Sequence, residues 1–518
     1  MQGHRLVAAV ANSGSPPWTG ADPRYLAIIA ALFAVPLGYL ISSDPEWLQI
    51  GFDPTRLTHL LGLLIGIACA VAILKWPEAG TLGLVALIYT NASDIGVRFH
   101  QLPSMLQLLL PLLAIAWLHR RLVHRPAQPF IWNGFAVWLL IYGTVIFASS
   151  ALAADPHLAD LRLFEYLKNV FILLLLVNLV TRERTLWGTV WVLIATGAVL
   201  GTISCYQVFT GAYDHQFGGF GRIKLAQIVG EVREPRIAGP LSDPNFYAQI
   251  LVVLIPLALY RVWDESSWRL RAAAAYALAV ILLALFFTYS RGGALALGVV
   301  LLLAALHKKV GLRYVMITLC LLAPLTLMLP ERFEGRLGTL HQLLPGDNES
   351  VVHLDSALQE RKLLMRSAWE MFMDRPLLGV GAGNYTEHYD EYAERIGSTV
   401  SSYEGFDKPR FPHSLYLEVA AETGLAGLSA FAAIIVSTLL ALRSAYRCFM
   451  ASGNARTAGL VMSLALGFVG YLTTSLFLHG DYMRHFWLLV GLALAAKHIA
   501  STQQQASARS VPHLVPVN

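Results

Sequence analysis

The sequence predicts an all-α, polytopic membrane helix bundle with one large, partly helical loop outside the bilayer. Three observations carry this. The 518 residues are 56% hydrophobic and only 14% charged, with a mean hydropathy of +0.55, whereas soluble domains hold about 25% charged residues. Apolar runs recur along the chain, and a run of ~20 residues crosses ~30 Å of hydrocarbon as a helix. From Pro330 to Pro412 the chain turns polar, between apolar runs on both sides. Backbone in lipid must satisfy its own hydrogen bonds, which runs of this length do as helices. A β-barrel would need alternating segments of about ten residues instead.

About fourteen spans are expected on that length criterion. They fall at 24–42, 57–75, 79–95, 103–119, 131–152, 163–180, 186–209, 246–262, 271–288, 291–307, 312–329, 415–442, 457–478 and 485–500. Residues 1–23 precede the first span. That span begins near Tyr25 and has no small-residue cleavage site after it, so it reads as a membrane helix and not a cleaved signal. Asn91, Ser93 and Asp94 interrupt the third span. The tail 501–518 is rich in Gln and Ser and reads as disordered.

Orientation follows from the Lys and Arg bias of short loops. One alternating set carries Lys75, the Arg120–Arg121–Arg125 group, Arg182, Arg184, Arg261, Arg269, Arg271, Lys308, Lys309, Arg313, Arg443, Arg447 and Arg456. The other carries few: Arg56, Arg98, Arg162, Arg291 and Arg484. The first set is then cytoplasmic, both termini are cytoplasmic, and segments 210–245 and 330–412 face outward. In a Gram-negative inner membrane, outward is the periplasm. The formal charge of +5 says little about nucleic acid. Cys69, Cys205, Cys320 and Cys448 are scattered, with neither metal-ligand spacing nor a disulfide framework.

The outer loop 330–412 is where charged chemistry is expected. Ser356 to Phe372 places Leu358, Leu363, Leu364, Ala368 and Met371 at helical spacing, which suggests an amphipathic helix on the membrane or the bundle mouth. Asp374-Arg375-Pro376 ends it, and Gly379-Val380-Gly381-Ala382-Gly383-Asn384 follows as a turn. That glycine pattern follows no strand, so a dinucleotide-binding reading fails its context.

Within this frame a few residues can carry chemistry. Arg291 lies in Thr288-Tyr289-Ser290-Arg291-Gly292-Gly293 between two apolar runs. It is either a snorkelling residue at a helix end or a fixed cation for an anionic group such as a diphosphate, which the planar guanidinium binds in bidentate fashion. Arg361 lies in Gln359-Glu360-Arg361-Lys362 with Arg366 beyond it; such a run is a solvated helix face or a second cationic contact. His413 follows Pro412 and opens an apolar helix, as a structural residue or as a general base near neutral pH. Arg236, Asp243 and Asn245 lie in a turn-rich segment entering the 246–262 span. Asp243-Pro244-Asn245 either caps that helix or faces a substrate cavity. His479-Gly480-Asp481 is a short turn near Arg484, and two candidate ligands do not make a metal site. No metal and no cofactor are expected.

Together these residues resemble the O-antigen ligase and polymerase superfamily. The resemblance rests on Ser290-Arg291-Gly292-Gly293, the loop bearing Arg361, Gly379 to Tyr385, and Pro412-His413-Ser414-Leu415-Tyr416-Leu417 running on to Glu422-Thr423-Gly424-Leu425-Ala426-Gly427-Leu428. It covers about 236 to 445; the first 200 residues match only as helical spans. His413-Ser414 stands where the family usually has His-Asn.

The resemblance implies a metal-independent glycosyltransferase of the multi-span C class. The donor would be a glycan on undecaprenyl diphosphate. The acceptor would be lipid A-core, another lipid-linked repeat or a protein. Arg291, Arg361 and His413 would be the catalytic residues, Arg236, Asp243, Asn245 and Arg366 would bind substrate, and Asp481 is the nearest candidate for the family's aspartate near the last outer turn. The span count and the segment 210–245 favour a polymerase over a ligase. The alternatives are a transporter or flippase for a lipid-linked saccharide, which predicts charges near the bilayer midplane, and a scaffold in a polysaccharide assembly complex. The expected divisions are 1–23, the helices of 24–329, the catalytic loop 330–412, the helices of 413–500, and the tail 501–518.

Overall fold

The computed structural model describes residues 66, 68–123, 134–227, 233–309, 356–396, 410–480 and 483–509. Its described elements are helices save for one hairpin. They are α1 (Pro77–Tyr89), α2 (Ala92–His100), α3 (Met105–Val123), α4 (Phe135–Ser150), α5 (Pro156–Leu179), α6 (Glu183–Thr210), β1 (Arg222–Gln227) and β2 (Arg233–Gly239). There follow α7 (Pro244–Asp264), α8 (Trp268–Phe287), α9 (Arg291–His307), α10 (Ser356–Asp374), α11 (Tyr385–Arg395), α12 (Leu415–Ala451), α13 (Ala455–Thr474) and α14 (Arg484–Arg509).

α7 is the central helix. A helix apolar all round belongs in a core, and every residue from Tyr247 to Ala258 is buried. It packs on α8, α9 and α13. Close approach comes from small residues, since helices in lipid gain little from hydrophobicity alone and associate by backbone proximity. A Cβ on Gly467 of α13 would lie 2.8 Å from the Val253 carbonyl oxygen of α7. A second aromatic knot joins α5, α12 and α14, where Trp487 meets Tyr166 at 5.4 Å and Phe486 stacks on Phe431 at 5.3 Å.

The chain is a multi-pass membrane protein, but the count of fourteen spans is not reached. Six described helices are long and apolar enough to cross a membrane: Met105–Leu122, α6, α7, α8, α12 and α13. A seventh forms if Ala68–Lys75 and α1 count as one span, though they are bent by 118°. The reasons for the shortfall differ. The expected spans 24–42 and 312–329, and most of 57–75, lie outside the described residues. The expected span 79–95 breaks where its polar residues stand, with Asn91 left-handed at φ 54° between α1 and α2. α4 and α9 are apolar but have only 16 and 17 residues. α5 carries Asp160, Arg162, Glu165 and Lys168 between its N-terminus and its middle.

The segment 210–245 corrects the all-helical expectation. It holds an antiparallel hairpin in which Lys224 pairs with Arg236 and Ile223 with Ile237. Its short strands, one containing Pro235, are easily missed beside much longer apolar runs.

α12 is 37 residues long and broken at Gly424, which adopts φ 64° and ψ −163°. The break opens backbone groups, and the glycine-rich turn fills them. Leu425 N–H donates to Pro376 O at 2.7 Å, Val380 N–H to Ala421 O at 2.9 Å, and Gly381 N–H to Glu422 O at 3.1 Å. A Cβ on Gly379 would meet the Ala421 carbonyl oxygen at 2.4 Å, and one on Gly424 the Leu377 carbonyl carbon at 2.3 Å. The glycines are there so that two backbones can touch, not to cradle a nucleotide. The expected helix 356–372 is α10, and Asp374-Arg375-Pro376 ends it. Its apolar face is not laid on lipid: Leu364, Ala368 and Met371 form a small core with Val380, Tyr385, Tyr389, Tyr392 and Ala421.

Candidate active site

The elements that carry the sequence-predicted residues meet at one end of the bundle. Each residue is held by a local device with a physical cause.

Asp243 caps α7. Its carboxylate accepts Asn245 N–H at 2.8 Å, and Pro244 occupies the first helical position. The same carboxylate takes the Lys224 ammonium at 2.8 Å, reaching across from β1. Burial opposes its ionisation, yet Lys224, the helix N–H and Arg236 outweigh burial and hold the carboxyl below the usual range. The capping reading of Asp243-Pro244-Asn245 is therefore what the geometry shows, with an ion pair added.

Arg236 on β2 spends its guanidinium on a turn. It donates to Thr288 O at 3.0 and 2.8 Å, to Tyr289 O at 3.4 Å and to Asn245 Oδ1 at 3.3 Å. Those carbonyls precede Arg291. Tyr289 is left-handed at φ 50°, a conformation costing a non-glycine residue about 1–2 kcal/mol, and the Arg236 clamp holds it. Ser290 then caps α9 by accepting Gly293 N–H at 3.2 Å. Arg291 leaves the turn as the first residue of α9 with its side chain exposed. Gly293 lets α9 approach α7: a Cβ there would lie 2.9 Å from the Ala248 Cβ.

His413 sits between Pro412 and the α12 N-cap Ser414, left-handed at φ 47°. Ser242, just before Asp243, is left-handed too at φ 64°. Three of the described non-glycine residues with positive φ thus stand at or beside Asp243, Arg291 and His413. Such strain persists only where the surroundings over-determine it, and it clusters at functional sites.

Charge gathers around the His413 ring. Burial first, then Arg361 and Lys224, push its pKa down to about 4, while Asp243 pulls the other way. The imidazole is neutral at neutral pH and able to accept a proton. Arg361, half-buried on α10, is thus close enough for its charge to act on His413. Arg366 is exposed, five residues on and so about 140° round the helix from Arg361. Asp481 lies outside the described residues.

Sequence reasoning missed several residues here. Lys224 gave no signal, because only the hairpin register sets it beside Asp243. His479 was noted only as one of two candidate ligands in a turn near Arg484, and Phe411 gave no signal; their rings stack at 4.2 Å, and His479 meets His413 edge-on at 5.7 Å. Glu418 and Glu422, one turn apart in α12, are buried and accept Gly480 N–H at 2.6 Å and Gly383 N–H at 2.7 Å. They anchor the two turns that frame His413.

Residues 276–432 match the family model described as O-Antigen ligase. That stretch is similar to an O-antigen ligase domain. The match falls inside the stretch of resemblance and spans Arg291, Arg361 and His413. Arg236, Asp243 and His479 lie beyond the O-antigen ligase match yet reach the same site. Comparison with curated proteins gives no match.

Proposed function

We propose that this protein is a glycosyltransferase that moves or polymerises an undecaprenyl-diphosphate-linked glycan on the periplasmic side of the inner membrane. One observation carries the reading: within the matched domain, a half-buried neutral histidine, His413, feels the charge of a loop arginine, Arg361, at the end of the bundle where Arg291 opens α9.

The chemistry follows from charge. An acceptor hydroxyl attacks the anomeric carbon in line, the new C–O bond forms, and the bond to the diphosphate oxygen breaks. The leaving diphosphate takes the electron pair. Preorganised cations aimed at that growing charge lower the barrier; losing one donor in such a site costs ~10²–10³ in rate. Arg291 and Arg361 supply the cations. His413 takes the hydroxyl proton, a contribution of ~10²–10⁴. Direct displacement inverts the anomeric centre. Arg236 holds the turn that presents Arg291. Asp243 and Asn245 hold the mouth of α7, and Arg366 lies on the exposed side for the glycan. The extra outer hairpin favours polymerase over ligase.

The test is transfer in vitro with purified protein, undecaprenyl-diphosphate oligosaccharide and EDTA. Lipid A-core and the lipid-linked repeat are offered separately. Product on lipid A-core makes it a ligase, and a ladder of multiples makes it a polymerase. No product with either, from folded protein, sinks both.

A further inference from the structure

His479 stands in the turn between α13 and α14, and its ring is one wall of a small aromatic enclosure. It lies flat on Phe411, with centroids 4.2 Å apart and planes within 8°. It meets Phe246 edge-on at 5.1 Å and His413 edge-on at 5.7 Å. The enclosure is pinned from below. Glu418, in the first turn of α12 after His413, accepts Gly480 N–H at 2.6 Å, and Leu415 N–H donates to Ser475 O at 3.0 Å. One helix start thus fixes both histidine backbones.

Both rings are neutral. Burial, then His413 and Arg162, push the His479 pKa down to about 3, against the pull of Asp243. A neutral imidazole has one donor and one acceptor nitrogen. Each of these rings has a buried Nδ1 with no hydrogen-bond partner among the described residues. A buried polar atom left unpaired costs about 1–3 kcal/mol. Two of them in one enclosure call for a guest that gives and takes hydrogen bonds. An aromatic face beside them calls for a guest with C–H groups to lay on it, since the ring face is electron-rich. A sugar has both properties.

We propose that His479 is a second acceptor-contacting residue, and that with His413 and Phe411 it forms the subsite for the incoming saccharide's hydroxyls. The inference rests on the transferase reading. His413 takes the proton of the attacking hydroxyl. His479 keeps its protonation state and holds a hydroxyl of the same sugar, so that only one oxygen is presented to the anomeric carbon.

The experiment measures transfer by purified His479→Phe and wild-type protein, varying a polyprenyl-diphosphate oligosaccharide donor and the acceptor independently. Phenylalanine keeps the stacking and removes both nitrogens. The acceptor KM should rise about tenfold or more, the loss expected for an unpaired hydrogen-bonding group, with the donor KM and thermal denaturation midpoint unmoved. An unchanged acceptor KM with unchanged kcat overturns the inference. So does a parallel rise in both KM values with a fall in the midpoint, which marks a structural role. If His479→Phe does not fold, His479→Gln, which retains a donor and an acceptor, is read on the same two KM values. A wild type inactive on every acceptor defeats the transfer reading itself, whereas an active wild type with an indifferent His479→Phe defeats only the subsite.

Discussion

At the end of the bundle opposite His413, most charge is spent on charge; the exception is Arg261, whose guanidinium has no hydrogen-bond partner among the described residues and rests on Trp187. Arg120 forks onto both oxygens of Glu78 at 2.8 and 2.9 Å, and Lys308 reaches Asp264 at 2.6 Å. Arg456 pairs with Glu265, whose side chain is only 1% exposed. Glu183 accepts from Asn454, Thr457 and Gln503. Trp187 packs on two guanidiniums, Arg261 at 4.4 Å and Arg456 at 4.8 Å. These contacts tie α1 to α3, α7 to α9, and α6 to α13 and α14. At the other end Arg484 pairs with Asp94, and around the site Lys224 with Asp243 and Arg236 with two carbonyls only set the stage. The two imidazoles they surround have nitrogens that no described residue satisfies. Paired charge builds the bundle, and charge held near unpaired hydrogen-bonding groups is what a reaction can use.

The sharpest way to break that contrast is to remove one group from each end. His413→Ala should lower transfer by ~10²–10⁴ with protein level and denaturation midpoint matched to wild type. Arg291→Gln should lower it by ~10²–10³. Full transfer by His413→Ala would remove the base and leave the two ends alike in function. At the paired end, Glu265→Ala strands Arg456 and removes one of the two acids, with Asp264, whose charge supports the fully buried Arg261. Breaking a buried pair costs about 3–5 kcal/mol, read as a lower midpoint in thermal denaturation. Activity per folded molecule should stay near wild type. A loss of specific activity at full stability would show that the paired end also serves the reaction.

What the sequence made legible divides along the same line. Apolar periodicity located the helices, because burial in lipid leaves a long, plain signal. It did not locate the break in α12: Glu422 and Thr423 stand just before Gly424, but polar residues do not by themselves break a helix, and a positive φ leaves no mark except the glycine itself. His413, Arg361 and Arg291 were legible because each sits beside a local signal: a proline, a charge run, a glycine pair. Lys224 was not, and His479 stood out only as a possible ligand, not as a neighbour of His413. They reach the site through a strand register and an inter-helix turn, and such long-range placement is written in packing, not in neighbouring residues. Arg236 was legible as polar and turn-borne, but only the fold shows its guanidinium turned to the carbonyls before Arg291.

Two glycines sharpen the comparison at smaller cost. Gly424 and Gly453 are both left-handed, at φ 64° and 76°. A Cβ on Gly424 would strike the Leu377 backbone at 2.3 Å, whereas one on Gly453, at the paired end, meets nothing within 4 Å. Gly453→Ala should therefore cost only the backbone strain, about 1–2 kcal/mol. Gly424→Ala adds a clash that no backbone can yield to cheaply, and it should loosen the clasp on Pro376–Gly381. Hydrogen exchange of α10 and α11 reads this directly: faster exchange in Gly424→Ala and none in Gly453→Ala. Equal effects would mean that the clasp does not organise the loop.

The smallest expected effect is a shift in pH dependence, and its sign is fixed by the charges around His413. The ring is a base only when neutral, so transfer should fall as pH drops through about 4. Arg361 and Lys224 lower that value, and Asp243 raises it. The residual activity of Arg361→Gln should therefore have its acid limb at higher pH than wild type, and Lys224→Met should move it the same way by less. Stability carries the same signature. His413 and His479, held at about 4 and about 3, take protons less readily folded than unfolded, where histidine titrates near 6.5. The unfolded chain then binds more protons between those values, so stability is full above about 6.5 and falls as pH drops below it. An acid limb that stays in place in Arg361→Gln would separate Arg361 from His413, and the two residues could no longer be read as one site.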